Sequence, residues 1–230
     1  MRRYLAPMGL LLSAACLSVG EENTGIILEF DFNSIGSTFV SGAADFPAAQ
    51  AGAVGAVGDT RVLPAEISTT VKGLYLAGTN VTGDLFLFQK RRFTGMAPNT
   101  SYQVFIAIEY VSNYHAGCST GAGPNTVIKA GVTANEPIVT TDAQGVYRMN
   151  IDKGTGTAKG QYIQAGDIRN GLSLCPGSGA AYSLQATLAQ TQETPLVTDA
   201  EGSFWIFLGT QSSFVGPHQI YFTRLRLTLR

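Results

Sequence analysis

The sequence is poor in charged residues, in histidine and in long hydrophobic runs. Only 13% of its 230 residues are Asp, Glu, Lys or Arg, and the formal net charge is −1. Nucleic-acid-binding domains usually carry a clustered basic surface, so we expect no nucleic-acid partner. Beyond the N-terminal segment no apolar run approaches the roughly 20 residues of a membrane-spanning helix. This excludes such a helix from the rest of the chain.

Motifs for catalysis and metal binding are also missing. The chain has two histidines, His115 and His218, and no HExxH or paired CxxC spacing that would indicate zinc. The predicted strands and turns offer no strand-to-helix turn of the kind that a GxSxG nucleophile needs, and the chain contains no phosphate-binding GK[ST] loop. We therefore predict no catalytic residue, no metal and no cofactor. Both histidines are interpreted as imidazoles on surface loops.

After the N-terminus, short runs of β-branched and aromatic residues alternate with turn residues, among them most of the 27 glycines. Such a pattern is typical of all-β sandwiches. It predicts a single antiparallel β-sandwich over residues 25–230, with about nine or ten strands and a jelly-roll or fibronectin-like topology. The Gly/Ala-rich segment Ala43–Gly58 is predicted to be one long loop. The candidate strands are Ile26–Phe32, Gly73–Ala77, Leu85–Phe93, Tyr102–Val111, Thr126–Val132, Val146–Ile151, Tyr182–Leu188, Ser203–Gly209 and Ile220–Leu229.

Some segments make sharper predictions. Phe204–Leu208 is apolar at every position, which indicates a central strand covered on both faces. Ile220–Leu229 alternates apolar with polar residues toward its end, which indicates one buried face and one solvent-exposed face. The segments Asp142–Gly145 and Asp199–Gly202 each place Asp before Gly. This spacing predicts turns held by the Asp side chain, with Gly in the left-handed conformation.

The N-terminus has the features of a secretory signal. Met1–Arg3 is basic, Tyr4–Leu12 is apolar but too short to span a bilayer, and small residues follow at Ser13–Ala15. Cleavage before Cys16 would resemble processing at a bacterial lipobox, although Ser13 replaces the usual Leu. Cleavage before Glu21 would release a simply secreted protein. The sequence therefore predicts export and leaves both cuts open.

The three cysteines favour the first cut. Cys118 and Cys175 lie in Gly-rich segments, where a disulfide is expected in an exported protein. Their pairing leaves Cys16, which is then either lipidated or removed with the signal. We predict a signal peptide at 1–15, lipidation of Cys16 and a tether at 16–24. The protein would reside in the cell envelope, anchored to a membrane (the outer membrane in this interpretation), or be secreted.

Candidate binding residues come from the most highly charged part of the chain, Lys129–Arg169, and from an aromatic residue before it. Asn150, Asp152 and Asp167 carry the oxygen ligands that calcium prefers. They lack the spacing of an EF-hand loop, so no metal is assigned. The candidate set is Arg148, Asn150, Asp152, Asp167 and Tyr114.

Several stretches resemble known families. Gly83–Phe88, Lys129–Gly131, Glu136–Pro137 and Arg148–Gly154 resemble a group of uncharacterised bacterial predicted lipoproteins, with similarity from about Gly25 to the C-terminus. The Thr94–Tyr102 turn resembles the corner of fibronectin type III-like sandwiches, and the segment Gly209–Phe222 resembles the last strands of jelly-roll carbohydrate-binding modules. The lipoprotein resemblance implies a location in the cell envelope and a single domain. The export signal, the strand pattern and the absence of a complete catalytic set predict an exported, lipid-anchored, non-catalytic binding or structural protein of the bacterial envelope. Its partners would be the membrane, through the anchor, and an envelope protein or glycan.

Two alternatives remain open. A carbohydrate-binding module would expose aromatic residues such as Tyr110, Tyr114 or Tyr162 on one face. A glycoside hydrolase of sandwich fold would use Glu29 and Asp31, which share a strand face as in laminarinase-type enzymes. The third carboxylate of that pattern is replaced by Ser34.

The lipid prediction can be tested by intact mass. Protein from the membrane fraction should carry the added mass of acyl chains, and Cys16→Ala should lose it, because the Cys16 sulfur is the proposed attachment point. A wild-type chain that starts at Glu21 without lipid would contradict the prediction.

Overall fold

The computed structural model describes residues 25–154, 160–176 and 179–230. The predicted signal peptide, Cys16 and the tether lie outside the described residues. The two α-helices, α1 (Phe32–Ile35) and α2 (Ala51–Val54), are each one turn long, as are 3₁₀ helices at Gly36–Thr38 and Ala48–Gln50. None of the helices in these three ranges is long and apolar enough to cross a membrane.

Strands make up most of the described chain. Their bounds are β1 (Ile26–Asp31), β2 (Val40–Ala44), β3 (Phe46–Pro47), β4 (Val57–Val62), β5 (Lys72–Asn80), β6 (Leu85–Phe93), β7 (Ser101–Tyr102), β8 (Val104–Ser112), β9 (Tyr114–His115), β10 (Thr126–Thr133), β11 (Val139–Thr141), β12 (Val146–Met149), β13 (Ile163–Asp167), β14 (Arg169–Asn170), β15 (Ser183–Ala186), β16 (Gln190–Thr191), β17 (Leu196–Val197), β18 (Phe204–Ser212) and β19 (Gly216–Leu229). Each of the nine predicted strands corresponds to one of these. Shorter or more polar strands such as β4 and β13 were not predicted.

Two antiparallel sheets form the body of the protein. The larger sheet has seven strands in the order β15-β8-β19-β5-β4, with β1 added beside β19 and β16 beside β8. The smaller sheet has five strands in the order β13-β10-β18-β6-β2. The strands β5, β6, β8, β10, β15, β18 and β19 alternate between the two sheets along the chain. This confirms the all-β sandwich, and the alternation is that of a jelly roll.

The core lies between the two sheets. On β19, Leu225, Leu227 and Leu229 are buried while Arg224 and Arg226 are exposed, so the predicted alternation is confirmed. Inward residues of β5, β6, β8, β10 and β18 complete the same cluster. Burial of a large aliphatic side chain contributes about 1.5–3 kcal/mol, and this cluster is the main stabilising element of the fold.

A second, smaller apolar cluster covers the outer face of the smaller sheet. Phe86, Phe88 and Phe207 are buried there with Ile151, beneath a three-stranded sheet of order β11-β12-β3. Strand β18 lies in the middle of the smaller sheet, so Phe207 faces this cluster while Ile206 faces the main core. The prediction of a central strand covered on both faces is confirmed.

The prediction of a long loop over Ala43–Gly58 is wrong. The segment begins in β2, continues through β3 and α2, and ends in β4. At the end of the segment, Gly58 on β4 packs closely on β2, because a Cβ atom there would lie 2.3 Å from Ser41 Cβ. Such a close approach requires glycine within a strand, and in the sequence this glycine looks the same as one in a loop.

Both predicted Asp–Gly turns are confirmed. Asp142 Oδ1 accepts hydrogen bonds from the backbone N–H groups of Gln144 and Val146, each at 2.9 Å. Asp199 makes the equivalent turn, and Gly145 and Gly202 have φ values of 75° and 69°. The second turn also packs on the Thr94–Tyr102 segment, since Met96 N–H donates to the Gly202 carbonyl.

Cys118 and Cys175 form a disulfide, with their Cα atoms 4.8 Å apart, as the sequence predicted. The bond joins the loop after β9 to the loop between β14 and β15. It closes a chain segment of 57 residues.

Removing this disulfide should lower stability. Cross-linking a loop of this length restricts the unfolded chain and is worth about 4 kcal/mol on the chain-entropy estimate. We expect Cys118→Ser/Cys175→Ser to reduce the free energy of unfolding by up to that amount in urea denaturation. A reducing agent should shift the wild-type midpoint and leave the double variant unchanged. Equal midpoints for oxidised wild type and variant would contradict the expectation.

Candidate functional site

Four tyrosines gather on the outer face of the larger sheet, near the end where β8 stops. We call Tyr75, Tyr114, Tyr182 and Tyr221 the tyrosine cluster. The rings of Tyr75 and Tyr221 lie 4.8 Å apart on the paired strands β5 and β19, and Tyr182 stands edge-on to Tyr221 at 6.2 Å. The outward alternation of β5 and β19 brings these rings together, because directly paired residues share a face.

Gln219 organises the cluster through its backbone and its side chain. Its Oε1 accepts a hydrogen bond from the Tyr75 hydroxyl at 2.7 Å, and its Nε2 donates to the Tyr182 hydroxyl at 2.6 Å. Its backbone N–H donates to the Tyr114 hydroxyl at 3.1 Å. Strand β8 ends before this level of β19, so the tyrosine oxygen serves as the acceptor that a neighbouring strand would otherwise provide.

Burial keeps the hydroxyls of Tyr114, Tyr182 and Tyr221 protonated, so that they act as neutral donors. Burial, together with the neighbouring Tyr221 and Tyr75, raises the pKa of Tyr182 to about 12. Burial is also the main cause that raises the pKa of Tyr114 and of Tyr221. Within the described ranges, the hydroxyl hydrogens of Tyr114, Tyr182 and Tyr221 have no recorded protein acceptor. They are available to a ligand.

Charged groups lie at the edge of the tyrosine cluster and not at its centre. The Arg61 guanidinium stacks 4.0 Å from the centre of the Tyr75 ring and is paired with Asp59 at 2.8 Å. Glu66 accepts a hydrogen bond from the Tyr182 backbone N–H at 2.6 Å. Arg61 and Asp59 compensate each other and Glu66 lies to one side, so the centre consists of aromatic carbon, hydroxyl and amide groups.

Two cavities flank the ridge formed by Tyr114 and Gln219. The first, of about 450 Å³, is lined on one side by Gly78 and His218. The second, of about 310 Å³, is lined on its far side by His115 and Cys118. Tyr114 and Gln219 line both. Ligand sites are typically concave, with apolar walls and a few fixed polar groups, and this arrangement has those properties.

Several cross-links fix the wall of the second cavity. The Cys118–Cys175 disulfide forms part of it. The two ring nitrogens of His115 lie 2.6 and 3.1 Å from the carbonyl oxygens of Leu174 and Ala181. Asn170 donates to the Ser112 carbonyl at 2.8 Å. These bonds hold the loop after β14 against β8 and β9, so the wall is built before any ligand binds.

The structure corrects the interpretation of both histidines as surface imidazoles. His115 is 7% exposed and His218 only 2%. His218 Nε2 lies 3.1 Å from the Thr210 hydroxyl, whereas its Nδ1 has no hydrogen-bond partner among the described residues. This nitrogen belongs to a side chain that lines the first cavity, and burial lowers its pKa to about 4.

The candidate aromatic and charged residues near this site have separate roles. Tyr114 lies between the two cavities. Asp167 is paired with Arg169 at 2.8 Å and supports the loop behind the second cavity. Tyr110 is buried, and its hydroxyl donates to the Arg169 carbonyl at 2.9 Å. Tyr162 packs against the cluster on the smaller sheet. The three tyrosines suggested for a single open face are therefore separated.

The other candidate residues lie on the opposite side of the sandwich. Arg148 pairs with Asp45 and Asp142, and Asn150 uses its side chain to bind the backbone of Glu136 and Ile138. Asp152 Oδ1 accepts from the backbone N–H of Gly154 at 2.9 Å. Within the three described ranges, no group of three or more His, Cys, Asp or Glu side chains could hold a metal ion.

Glu29 and Asp31 face arginines. Glu29 is paired in register with Arg226, with a closest side-chain distance of 3.7 Å, and Asp31 is in register with Arg224. Asp31 also caps α1 by accepting from the Asn33 backbone N–H at 3.0 Å. This ladder of opposite charges across neighbouring strands favours a structural role for both carboxylates.

Sequence analysis missed four of the five groups that form the ridge and its surroundings: Gln219, Tyr75, Tyr182 and Tyr221. The strand patterns placed Tyr75 and Tyr221 on strands. Because successive side chains alternate between the two faces, the apolar neighbours that face the core indicate that both tyrosines face outward. Their meeting depends on the pairing of β5 with β19. That pairing cannot be derived from either strand alone.

No family model matches this chain, and no curated protein matches it. Among solved structures, TmCBM27, a carbohydrate-binding module that recognises mannan, is 11% identical, with coverage of 89% of this chain and 98% of that chain and a TM-score of 0.41. The CBM22-1 xylan-binding domain from Paenibacillus barcinonensis Xyn10C is 12% identical, with coverage of 90% and 96% and a TM-score of 0.40. The enzymatically active domain of bacteriophage CBA120 tailspike protein 4 is 13% identical over 87% of this chain, which covers 20% of that chain, with a TM-score of 0.35. All three TM-scores lie below 0.5, so we take neither ligand nor activity from these structures.

The buried imidazole at the first cavity should make stability depend on pH. With a folded-state pKa of about 4 against an ordinary value of 6.5, only the unfolded chain takes up this proton between those values. The free energy of unfolding is therefore unaffected by this group above about pH 6.5. As the pH falls toward 4, protonation favours the unfolded chain and lowers the free energy of unfolding by about 3 kcal/mol in total. Urea denaturation across this range should show a smaller decrease in the free energy of unfolding for His218→Gln than for wild type. Parallel pH profiles for wild type and variant would refute the assignment.

Proposed function

We propose that the protein is a glycan-binding module and that the tyrosine cluster with Gln219 is its binding surface. The observation that carries the proposal is the central position of Gln219. Its side-chain amide holds the hydroxyls of Tyr75 and Tyr182, and together with Tyr114 it lines both cavities. Aromatic rings supply apolar faces for the C–H surfaces of sugar rings. Amide and hydroxyl groups supply the donors and acceptors that sugar hydroxyls require.

The charge distribution favours a neutral glycan. The centre of the surface consists of neutral tyrosine and glutamine side chains, and the nearby Arg61 is already paired with Asp59. An anionic sugar would meet no free cation at the centre. The two cavities on either side of the ridge fit a chain that crosses it, with one sugar ring on each side.

The wider setting of the proposal is the cell envelope. The Cys118–Cys175 disulfide supports export, because such bonds persist in oxidising compartments. An N-terminal lipid on Cys16 would hold the module at a membrane and leave its tyrosine cluster free to bind a surface glycan. In this proposal the protein acts by binding, and the glycan is its partner.

Glycan binding can be tested by calorimetry with soluble xylan, mannan, galactan and β-glucan oligosaccharides. We expect at least one to bind wild type, and Tyr221→Ala to weaken that binding on the order of tenfold, since losing an aromatic contact costs about 1.4 kcal/mol. Phe105→Ala is the matched control. Phe105 lies on the same outward face of the larger sheet, on β8, and packs against Arg230 at 5.0 Å, away from the cluster.

Failure of every oligosaccharide to bind, together with an empty glycan array, would overturn the proposal. Equal affinities for wild type and Tyr221→Ala would place the site elsewhere. Circular dichroism of each variant establishes that a loss of binding reflects the removed ring and not unfolding.

A further inference from the structure

A lysine and an aspartate lie in contact on the side of the sandwich away from the tyrosine cluster. Lys153 Nζ contacts Asp45 Oδ2, and the two side chains are only 4% and 3% exposed. Asp45 lies between β2 and β3, whereas Lys153 follows β12. The chain therefore brings an amine and a carboxyl group from distant segments together where water has little access.

One side of this pair is apolar. Phe86 lies with its ring centre 5.4 Å from Lys153 Nζ, and it stacks on Phe88 within the outer apolar cluster. Burying two full charges in such a place costs several kcal/mol per ion before their attraction offsets it. A neutral product of the two groups would avoid this desolvation cost.

A second carboxyl group stands beside the pair. Gln211 Nε2 donates to Asp84 Oδ1 and also lies 3.5 Å from Asp45 Oδ2, so one amide bridges the two carboxyl groups. Partial burial and the neighbouring Asp45 charge raise the pKa of Asp84. A carboxyl group with a raised pKa is suited to accept and return a proton.

The carboxyl group of Asp45 is held from its other side as well. Arg148 Nη1 donates to Asp45 Oδ1 at 3.3 Å. This cation would stabilise negative charge that develops on that oxygen. The Asp45 backbone has φ of 67°, a conformation that residues other than glycine seldom adopt. Such outliers cluster at functional sites.

We propose that Lys153 and Asp45 join in an intramolecular amide (isopeptide) bond. The amine and the carboxyl carbon are held together in a water-poor site, and groups in this situation react as if at concentrations on the order of 10⁵ to 10⁸ M. Amide formation also removes both buried charges. This inference is independent of the proposed glycan binding.

The step balances without any co-reactant. Proton transfer from the Lys153 ammonium to Asp45 Oδ2 leaves a neutral amine and a neutral carboxyl group. The lone pair of the amine attacks Asp45 Cγ and forms the C–N bond. The resulting oxyanion faces Arg148. Asp84 takes a second proton from the nitrogen and delivers it to the departing oxygen, the Cγ–O bond breaks, and water leaves. The net change is ammonium plus carboxylate to amide plus water, with Asp84 unchanged.

The bond would tie the junction of β2 and β3 to the loop after β12. It would fasten the three-stranded sheet onto the smaller sheet. There it would add to the apolar contacts and to the hydrogen bonds that Lys90 and Lys129 donate to the carbonyl groups of Pro137 and Lys153. The Cys118–Cys175 disulfide lies near the tyrosine cluster on the opposite face. Each face of the sandwich would then carry one covalent cross-link.

The test is peptide mapping of the full-length protein after denaturation, reduction and trypsin digestion. We expect one branched species that contains the Asp45 and Lys153 peptides. Its mass should be the sum of the two peptides minus one water, with no cleavage after Lys153. Linear peptides with ordinary cleavage after Lys153 would overturn the proposal. A dehydrated Asp45 peptide that is not joined to Lys153 would also overturn it, because that product is a cyclic imide.

Variants assign the roles. Lys153→Arg keeps a cation beside Asp45 but lacks the nucleophilic amine, so it should yield only linear peptides. A branched species that persists in it would refute Lys153 as the nucleophile. Asp84→Asn should reduce the branched fraction at least tenfold.

Asp142→Asn is the matched control, because Asp142 also contacts Arg148, at 3.2 Å, but lies outside the pair. It should retain the branched species. If Asp84→Asn and Asp142→Asn both retain it fully, the assignment of Asp84 as the proton carrier is wrong. The wild-type map decides the main proposal even if a variant fails to fold.

Discussion

The pairing of the C-terminal strand β19 is the interaction on which the rest of the structure depends. This strand runs beside β8 on one side, and on the other it pairs first with β5 and then with β1. Backbone groups buried in a sandwich must find partners, and β19 supplies them to three strands from distant parts of the chain. Its inward side chains also form a large share of the main core.

The candidate binding surface follows from the same pairing. The register sets Tyr221 opposite Tyr75, two residues along from Gln219. Because β8 ends at Ser112, the backbone of β19 is left without a strand partner on the β8 side at Gln219, and the Tyr114 hydroxyl takes that place. A short partner strand therefore creates a polar gap in the sheet, and the tyrosine cluster forms around it. The loop that closes the second cavity is fixed by the disulfide and by His115.

The two outer faces of the sandwich differ in physical character. The tyrosine cluster on the larger sheet is neutral, half-buried and bordered by cavities, as a binding surface requires. The outer face of the smaller sheet is covered by β3, β11 and β12 and holds a lysine, aspartates and an arginine close together. Charges this well buried are expensive to keep. These differences are the basis for our proposals of a covalent cross-link on the covered face and of glycan binding on the open face.

The sequence by itself determined the all-β class, the positions of the main strands, the central location of Phe204–Leu208 and the pairing of Cys118 with Cys175. These features depend on the local alternation of apolar and polar residues, on turn chemistry at Asp142 and Asp199, and on the cysteine count. All of these can be read directly from the sequence. It also identified Tyr114 as a binding candidate. It misjudged Ala43–Gly58, because a glycine such as Gly58, which lets β4 pack closely on β2, looks the same in the sequence as a glycine in a loop.

Only the tertiary structure decided which side chains meet. Gln219 gains its role from tyrosines on β5, β9 and the segment before β15, and Asp45 finds Lys153 across the cover of the smaller sheet. Strand order and register are set by the sum of many weak contacts between distant segments, and no local pattern encodes them. The sequence therefore fixes which residues face outward, whereas the packing of the sheets fixes which of those residues become neighbours.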